Sequence, residues 1–255
     1  MSSVCATMNK SKVTHRIVTI PKLDGEITEH NQLALAHKFR EFRLLALKTA
    51  PGAFASSYDD EAKCDLDHTF ERLRHPKATR FVALAGEAST PDMPHIHEAG
   101  VGELLDRDWL GFIVLIGLEE GLDTVSAKSD PLSQVARETF SDGTVHKLGN
   151  KGAMRFHLNG MFVAPSARRC GMGACLIEAA LGKARSMSNK RCCGFHCTII
   201  VDEWNHAAIK LYERVGFKIV AKETYGEDRI ALRMELSRGG GDSGEVAACE
   251  GDHAL

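Results

Sequence analysis

The run Arg168-Arg169-Cys170-Gly171-Met172-Gly173 stands between an apolar stretch closing on Val163-Ala164-Pro165 and an apolar helical pattern from Met172 to Met187. These are the residue types of an anion cradle. A strand, a turn and a helix start in that order aim successive backbone N–H groups outward. Glycine at 171 and 173 removes side chains that would block close approach, and the helix dipole adds roughly 0.3–1 kcal/mol of attraction. Arg168 and Arg169 supply charge at the rim, and Pro165 fixes the chain as it leaves the strand. A phosphate or pyrophosphate fits. A Gly-x-Gly pair also serves simply as a tight strand-to-helix turn, and on this stretch alone both readings stand. It is not a P-loop, since no Gly-Lys-Ser/Thr follows, and Cys175 and Leu176 stand where a dinucleotide fingerprint needs a third glycine.

The elements that must position this run follow from periodicity. A strand is expected at Thr14–Ile20, then a long amphipathic helix from about Glu26 to Lys48 with Leu33, Ala36, Leu44 and Leu47 at helical spacing, stopped by Pro51-Gly52. Asp65–Arg74 reads as a short helix with Leu66, Phe70 and Leu73 on one face. RFVALA from Arg80 and FIVLIGL from Phe112 read as strands. After Met154 come a strand (MRFHLNGMFV), the glycine turn, the helix, a strand (GFHCTIIV), a helix (Asn205–Val215) and strands at Phe217–Glu223 and Arg229–Leu236. That alternation calls for a mixed sheet covered by helices. Two polar stretches, 87–108 and 119–150, interrupt it as insertions of the kind that form lids or substrate walls, the second with a helix expected at Pro131–Phe140.

The chain has 255 residues, 44% hydrophobic and 26% charged, with a formal net charge of -2. This composition suits one globular domain, residues 13–237, with disordered tails at 1–12 and at 238–255, the latter rich in glycine and acids. The charge gives no footprint for nucleic acid or an anionic membrane. The start MSSVCATMNKSKVTHR lacks an apolar core of signal-peptide length, so a soluble, unprocessed chain is expected. The 8 cysteines are scattered, as reduced thiols in a cytoplasmic protein would be, a nuclear one being the alternative.

The Arg168–Gly173 run resembles the phosphate loop of the GNAT superfamily of acyl-CoA-dependent N-acetyltransferases, Arg/Gln-x-x-Gly-x-Gly/Ala. MFVAP upstream resembles that family's fourth strand. NHAAIKLYERVGFKIV, Asn205–Val220, is similar to its Asn-x-x-Ala-x-x-x-Tyr-x-x-x-Gly-Phe segment. The resemblance covers Phe156–Leu236 well and the amino-terminal half loosely. It implies a single α/β (α+β) domain with a mixed, mostly antiparallel sheet of about six to seven strands, flanked by helices and splayed between the family's fourth and fifth strands. It implies acetyl-CoA as cosubstrate in that splay and no metal. The pantetheine arm would pair with the backbone at Phe162 and Val163, and the pyrophosphate with the amides of Arg169, Cys170, Gly171, Met172, Gly173 and Ala174, with Arg168 nearby. Asn205 and Ala208 would face the pantetheine, and Tyr212 the sulfur.

Direct transfer to an amine needs a neutral nucleophile, and an alkylammonium of pKa about 10.4 is roughly one part in a thousand neutral at pH 7. It also needs a polarised thioester carbonyl and a stabilised leaving thiolate. Tyr212 can donate a hydrogen bond or a proton to the sulfur; its other reading is an aromatic packed under the Gly216-Phe217 turn. His157 lies in the strand register of the family's catalytic base, and reads equally as a half-buried histidine bonded to a backbone carbonyl. Gly160 could mark a bulge that breaks the strand's alternation. Asp202, Glu203 and Glu103 are reserve bases. Cys192-Cys193-x-x-His196-Cys197 lacks the paired spacing of a structural zinc site, with Cys193 and Cys197 on one side of a strand and His196 on the other. Cys170, at a helix start, is a candidate for modification that would block the loop.

The reading is an N-acetyltransferase acting on a primary amine, small-molecule rather than protein lysine or N-terminus because insertions tend to close a site. Glu98, Glu103, Asp106 and Asp108 are candidate attractors of a cationic amine. The alternatives are an acyl-CoA sensor without turnover and an interaction module on the same core.

Overall fold

The computed structural model describes residues 14–23, 25–86, 97–118, 153–225 and 229–239. The expected tail at 1–12, that at 238–255 from 240 onward, the first half of the 87–108 insertion, and all of 119–150 with its helix at 131–140 lie outside the described residues; Arg238, expected in the tail, instead closes the last strand. By internal contacts the chain divides into two compact units. One comprises Met1–His75, Thr79–Val114 and Gly160–Ala179; the other Pro76–Ala78, Leu115–Asn159 and Ala180–Leu255.

The first unit carries β1 (His15–Thr19), α1 (Glu29–Thr49), α2 (Tyr58–Lys63), α3 (Leu66–Arg74), β2 (Ala78–Ala85, from Thr79), β3 (His97–Glu98), α4 (Val101–Asp106), β4 (Trp109–Leu118, to Val114), the end of β5 (Met154–Val163) and the first turns of α5 (Met172–Asn189). Its strands hydrogen-bond in the order β3-β1-β2-β4-β5, with β1 antiparallel to β2 and parallel to β3. Helix α1 starts later than expected because Thr28 caps it, its hydroxyl accepting from the Asn31 amide. Its buried face is only partly the expected one: of the four expected residues Ala36 and Leu47 are buried, Leu33 and Leu44 are not. Leu35, Ala36, Phe39, Phe42, Ala46 and Leu47 are buried, while Leu33 is 45% exposed. Aromatic packing explains the difference: Phe39 and Phe42 meet Trp109 and Phe112 edge to face, and Phe42 meets Phe162 at 5.7 Å between centroids.

A buried ion cluster joins α1, α2 and α3. Glu61 lies 2.9 Å from Arg43 Nε and 3.1 Å from Arg72, and Arg72 donates in turn to His68. Burial alone would raise the Glu61 carboxyl, but the Arg43 hydrogen bond and the charges of Arg43, Arg72 and His68 outweigh it and hold it below its ordinary value. This is why α3 buries Arg72 beside Leu73, whereas Leu66 and Phe70 stay half-buried.

The second unit holds the end of β4, the start of β5, the rest of α5, β6 (Phe195–Asp202), α6 (His206–Val215), β7 (Lys218–Tyr225) and β8 (Arg229–Arg238), with strand order β4-β5-β6-β8-β7. The last strand therefore lies inside the hairpin partner that precedes it. β8 is antiparallel to both β6 and β7. β5 and β6 run parallel, and their register covers Met154–His157 against Phe195–Thr198 and ends there, although β5 continues to Val163 and β6 to Asp202. These two stand where the resemblance puts the family's fourth and fifth strands; the two-residue β3 brings the described total to eight. No described helix is long and apolar enough to cross a membrane.

Candidate functional site

β5 delivers the loop. Gly111 in β4 lets the Phe162 backbone approach, since a Cβ there would stand 2.8 Å from the Phe162 carbonyl oxygen. Gly160 stands at φ +61, and Phe156, His157 and Leu158 before it are buried in succession, as a strand lying between two others and covered on both faces can be. After Val163 a short 3-10 turn, Pro165–Ala167, leads to extended Arg168, then to Arg169 at φ +65 and Gly171 at φ +86. The first α5 hydrogen bond runs from the Cys175 amide to the Gly171 carbonyl at 3.1 Å. The amides of Arg169 to Ala174 consequently make no hydrogen bond among the described residues, and the space over Gly171 is open to 4 Å. Six donors at a helix start, with two left-handed residues among them, form an anion nest. The Met172 side chain is buried, so that residue offers only its amide.

Arg168 does more than stand at the rim. Its Nε donates to the Val163 carbonyl at 2.9 Å and its guanidinium lies 5.8 Å from the Phe162 ring centroid, tying the loop back onto β5. Of Val163's two main-chain groups the carbonyl is therefore already held. The Cys170 thiol donates to the Ala167 carbonyl at 2.9 Å, and burial, then Cys170 itself, push the neighbouring Cys175 thiol up.

In the second unit Asn205 caps α6, its Oδ1 accepting from the Ala208 amide at 3.2 Å. That bond commits both the Asn205 carbonyl oxygen and the Ala208 N–H to the helix start. Two turns on, Tyr212 is 4% exposed, with its ring edge to face with Phe217 at 5.9 Å, and its carbonyl accepts from Gly216 and Phe217 as the helix closes on Gly216 at φ +108. The packing expected for Tyr212 is present. Burial also pushes its phenol up from the ordinary value, so it stays protonated at any physiological pH.

His157 is buried rather than half-buried, and its partner is a side chain rather than a backbone carbonyl. Its Nδ1 lies 2.9 Å from Thr198 Oγ1, which also approaches the Phe156 carbonyl at 3.4 Å. Burial lowers its pKa to about 4. The reserve acids are engaged: Asp202 by Arg229 and Glu203 by Lys222, each at 2.6 Å, and Glu103 by Arg16 and Arg107. Cys197 faces the core, while His196 on the other side of β6 meets Ser237 at 2.8 Å and Glu235 at 3.5 Å. The first unit thus gathers Phe162, Val163 and residues 168–174; the second places Asn205, Ala208 and Tyr212 on α6 and His157 beside Thr198. Thr198 is the site partner that sequence reading missed, because the parallel register pairing it with His157 spans 41 positions.

The low pKa of His157 has a measurable cost in acid. An unfolded imidazole titrates at about 6.5, so between that value and about 4 the unfolded chain binds a proton that the folded one refuses. Stability is full above the unfolded value and falls as pH drops through this window, by about 2.5 kcal/mol at pH 4.5. Urea melts at pH 7.5 and 4.5 should show that extra loss in the wild type and its absence in His157→Gln; equal losses would mean that the imidazole is not buried as the neutral form.

Residues 135–219 match a family model described as an acetyltransferase (GNAT) domain. A curated relative, the peptidyl-lysine N-acetyltransferase YjaB of Escherichia coli (strain K12), is 32% identical over 66 residues, 26% of this chain and 38% of that protein. The match thus spans well under half the length of that relative. A solved GNAT-family acetyltransferase from Streptococcus pneumoniae superposes with a TM-score of 0.50 at 12% identity, covering 88% of this chain and 100% of that one. The segment that matches the GNAT acetyltransferase domain contains both the nest and the Asn205–Tyr212 face, and the fold around it is the GNAT fold.

Proposed function

We propose that the protein transfers the acetyl group of acetyl-CoA to a primary amine. The observation that carries this is the run of six amides from Arg169 to Ala174, at the start of α5, that make no hydrogen bond among the described residues, inside the segment that matches the GNAT domain. A pyrophosphate is the anion with enough acceptor oxygens to use such a run, and Arg169, exposed beside it, adds charge. Asn205 shapes the start of α6, and Tyr212 donates its hydroxyl proton toward the departing sulfur.

The acid–base step is constrained by the numbers. Moving a proton from a free ammonium at about 10.4 to an imidazole at about 4 costs about 9 kcal/mol, against about 5 kcal/mol to release it to water at pH 7. The acceptor therefore binds as the neutral amine. His157 takes its proton only after nitrogen–carbon bond formation has made that nitrogen acidic, while the carbon–sulfur bond breaks and the thiolate leaves.

A small-molecule amine is the proposed acceptor, a reading supported by the way the described end of the first insertion folds against α1, where Lys38 donates to the Leu105 and Arg107 carbonyls at 2.7 Å. The name of the Escherichia coli relative favours a second reading, a lysine within a protein. The cytoplasm is the proposed compartment, with Cys64, Cys170, Cys175, Cys193 and Cys197 as free thiols. Calorimetric titration with acetyl-CoA followed by thiol release against polyamines, arylalkylamines, amino acids and lysine peptides tests all of this. Binding with amine-dependent release supports the enzyme and names the acceptor class. Binding without release across the panel favours a sensor, and no binding removes the reading.

A further inference from the structure

We propose that Thr198 is a positioning residue that fixes the tautomer of His157, holding the proton on Nδ1 and leaving the Nε2 lone pair as the accepting site. The argument is a count of one hydroxyl proton. Thr198 Oγ1 has two neighbours, the Phe156 carbonyl oxygen at 3.4 Å and His157 Nδ1 at 2.9 Å. A carbonyl can only accept, so the Thr198 proton points to Phe156, and the same oxygen then accepts from Nδ1–H across the shorter contact. Nε2 has no hydrogen-bond partner among the described residues.

The pairing is held by the backbone as well as by the side chains. His157 and Thr198 are Cα partners at the last position of the parallel β5–β6 register, and both are about 2% exposed or less. A buried hydroxyl–imidazole contact of this kind costs little to keep and much to break, because each partner would otherwise lose its solvation without compensation. Other charged or titratable groups on this face of the sheet are His196, its register partner Arg155 on β5, and Arg233 and Glu235 on β8; Glu235, the register partner of Thr198, is turned to His196 and Arg233.

The role in proton transfer rests on the acetyl-transfer reading; the tautomer does not. The test is therefore in two parts. Nitrogen-15 labelling of histidine with two-bond proton–nitrogen correlation at pH 7 reads the tautomer directly, His157 being picked out from the 12 histidines by loss of its signal in His157→Gln. The wild type should show Nδ1–H, Thr198→Ser should keep it, and Thr198→Val, close to isosteric, should shift the population to Nε2–H. In thiol-release kinetics Thr198→Val should lower kcat about tenfold with KM for acetyl-CoA unchanged, and Thr198→Ser should restore it to within twofold. An Nε2–H signal in the wild type, or an unchanged tautomer in Thr198→Val, overturns the proposal. A tautomer that changes while kcat does not overturns the positioning role. Failure of the wild type to release any thiol sinks the acetyl-transfer reading instead, and the nuclear-resonance result still judges the tautomer.

Discussion

Gly171→Val should weaken acetyl-CoA binding by about 100-fold or more while leaving the protein folded. Two effects act in the same direction. Gly171 sits at φ +86, where a β-branched residue is a steric outlier, so the turn must open or twist to take it. The new side chain would also rise into the open space over Gly171, which the anion has to enter to reach the amides. Charge-assisted hydrogen bonds contribute about 1.5–3 kcal/mol each, and losing one or two of them gives about 10- to 1,000-fold or more in affinity. The strain should stay within the loop, because among the described residues no atom other than those of its chain neighbours lies within 4 Å of the added Cβ. Arg169 shows the contrast: at φ +65 it lies in the left-handed basin that L-residues can occupy at a cost of roughly 1–2 kcal/mol. Gly171→Ala should fall between glycine and valine. Calorimetry with acetyl-CoA, beside a thermal melt of each variant, separates binding from folding; an unchanged dissociation constant in Gly171→Val would place the anion elsewhere.

That loop was legible in the sequence because its information is local. Glycine at a helix start, a proline leaving the strand and flanking arginines each act within a few residues, and the nest formed where they stand. The same holds for the caps: Ser57 accepts from the Asp60 amide and Asp65 from the His68 amide, both readable at three-residue spacing. Yet α2, with Ser57 as its cap, went unread, because six residues give periodicity too little length to speak. Helix α4 has no side-chain cap at Gly100, and its far end is closed by Lys38, 67 positions away. Nothing local announces it.

The buried face of α1 shows the other limit. Apolar residues stand around much of that helix, so Leu33 and Leu44 fit helical spacing about as well as Leu35, Phe39 and Phe42 do. What selects the second set is the aromatic packing against Trp109 and Phe112 of β4, a tertiary choice that no window on α1 contains. His157 repeats the lesson in the site itself. Its strand was legible, but its depth and its bond to Thr198 depend on the neighbouring strand's register.

Tyr212→Phe should lower kcat by about 10- to 100-fold with acetyl-CoA affinity and melting temperature nearly unchanged. The hydroxyl is the only group removed and the ring contact with Phe217 at 5.9 Å survives, so folding should lose at most the hydroxyl's own hydrogen bond, about 0.5–1.5 kcal/mol. The size of the kinetic effect follows from what the hydroxyl can do. A thiol titrates near 8.5 and a phenol near 10, and burial has pushed this phenol further up, so full proton transfer to the departing thiolate runs uphill. In the proposed reaction Tyr212 therefore serves as a hydrogen-bond donor to charge that develops on sulfur, an interaction of about 1.5–3 kcal/mol that is stronger in the transition state than before it. By the same token the phenol does not ionise in the working range, and kcat should show no alkaline limb belonging to Tyr212 up to pH 10. Thiol-release kinetics across pH for the wild type and Tyr212→Phe decide it: parallel profiles offset by one to two decades support the donor role, whereas equal kcat would leave Tyr212 as the ring that packs α6 onto its closing turn.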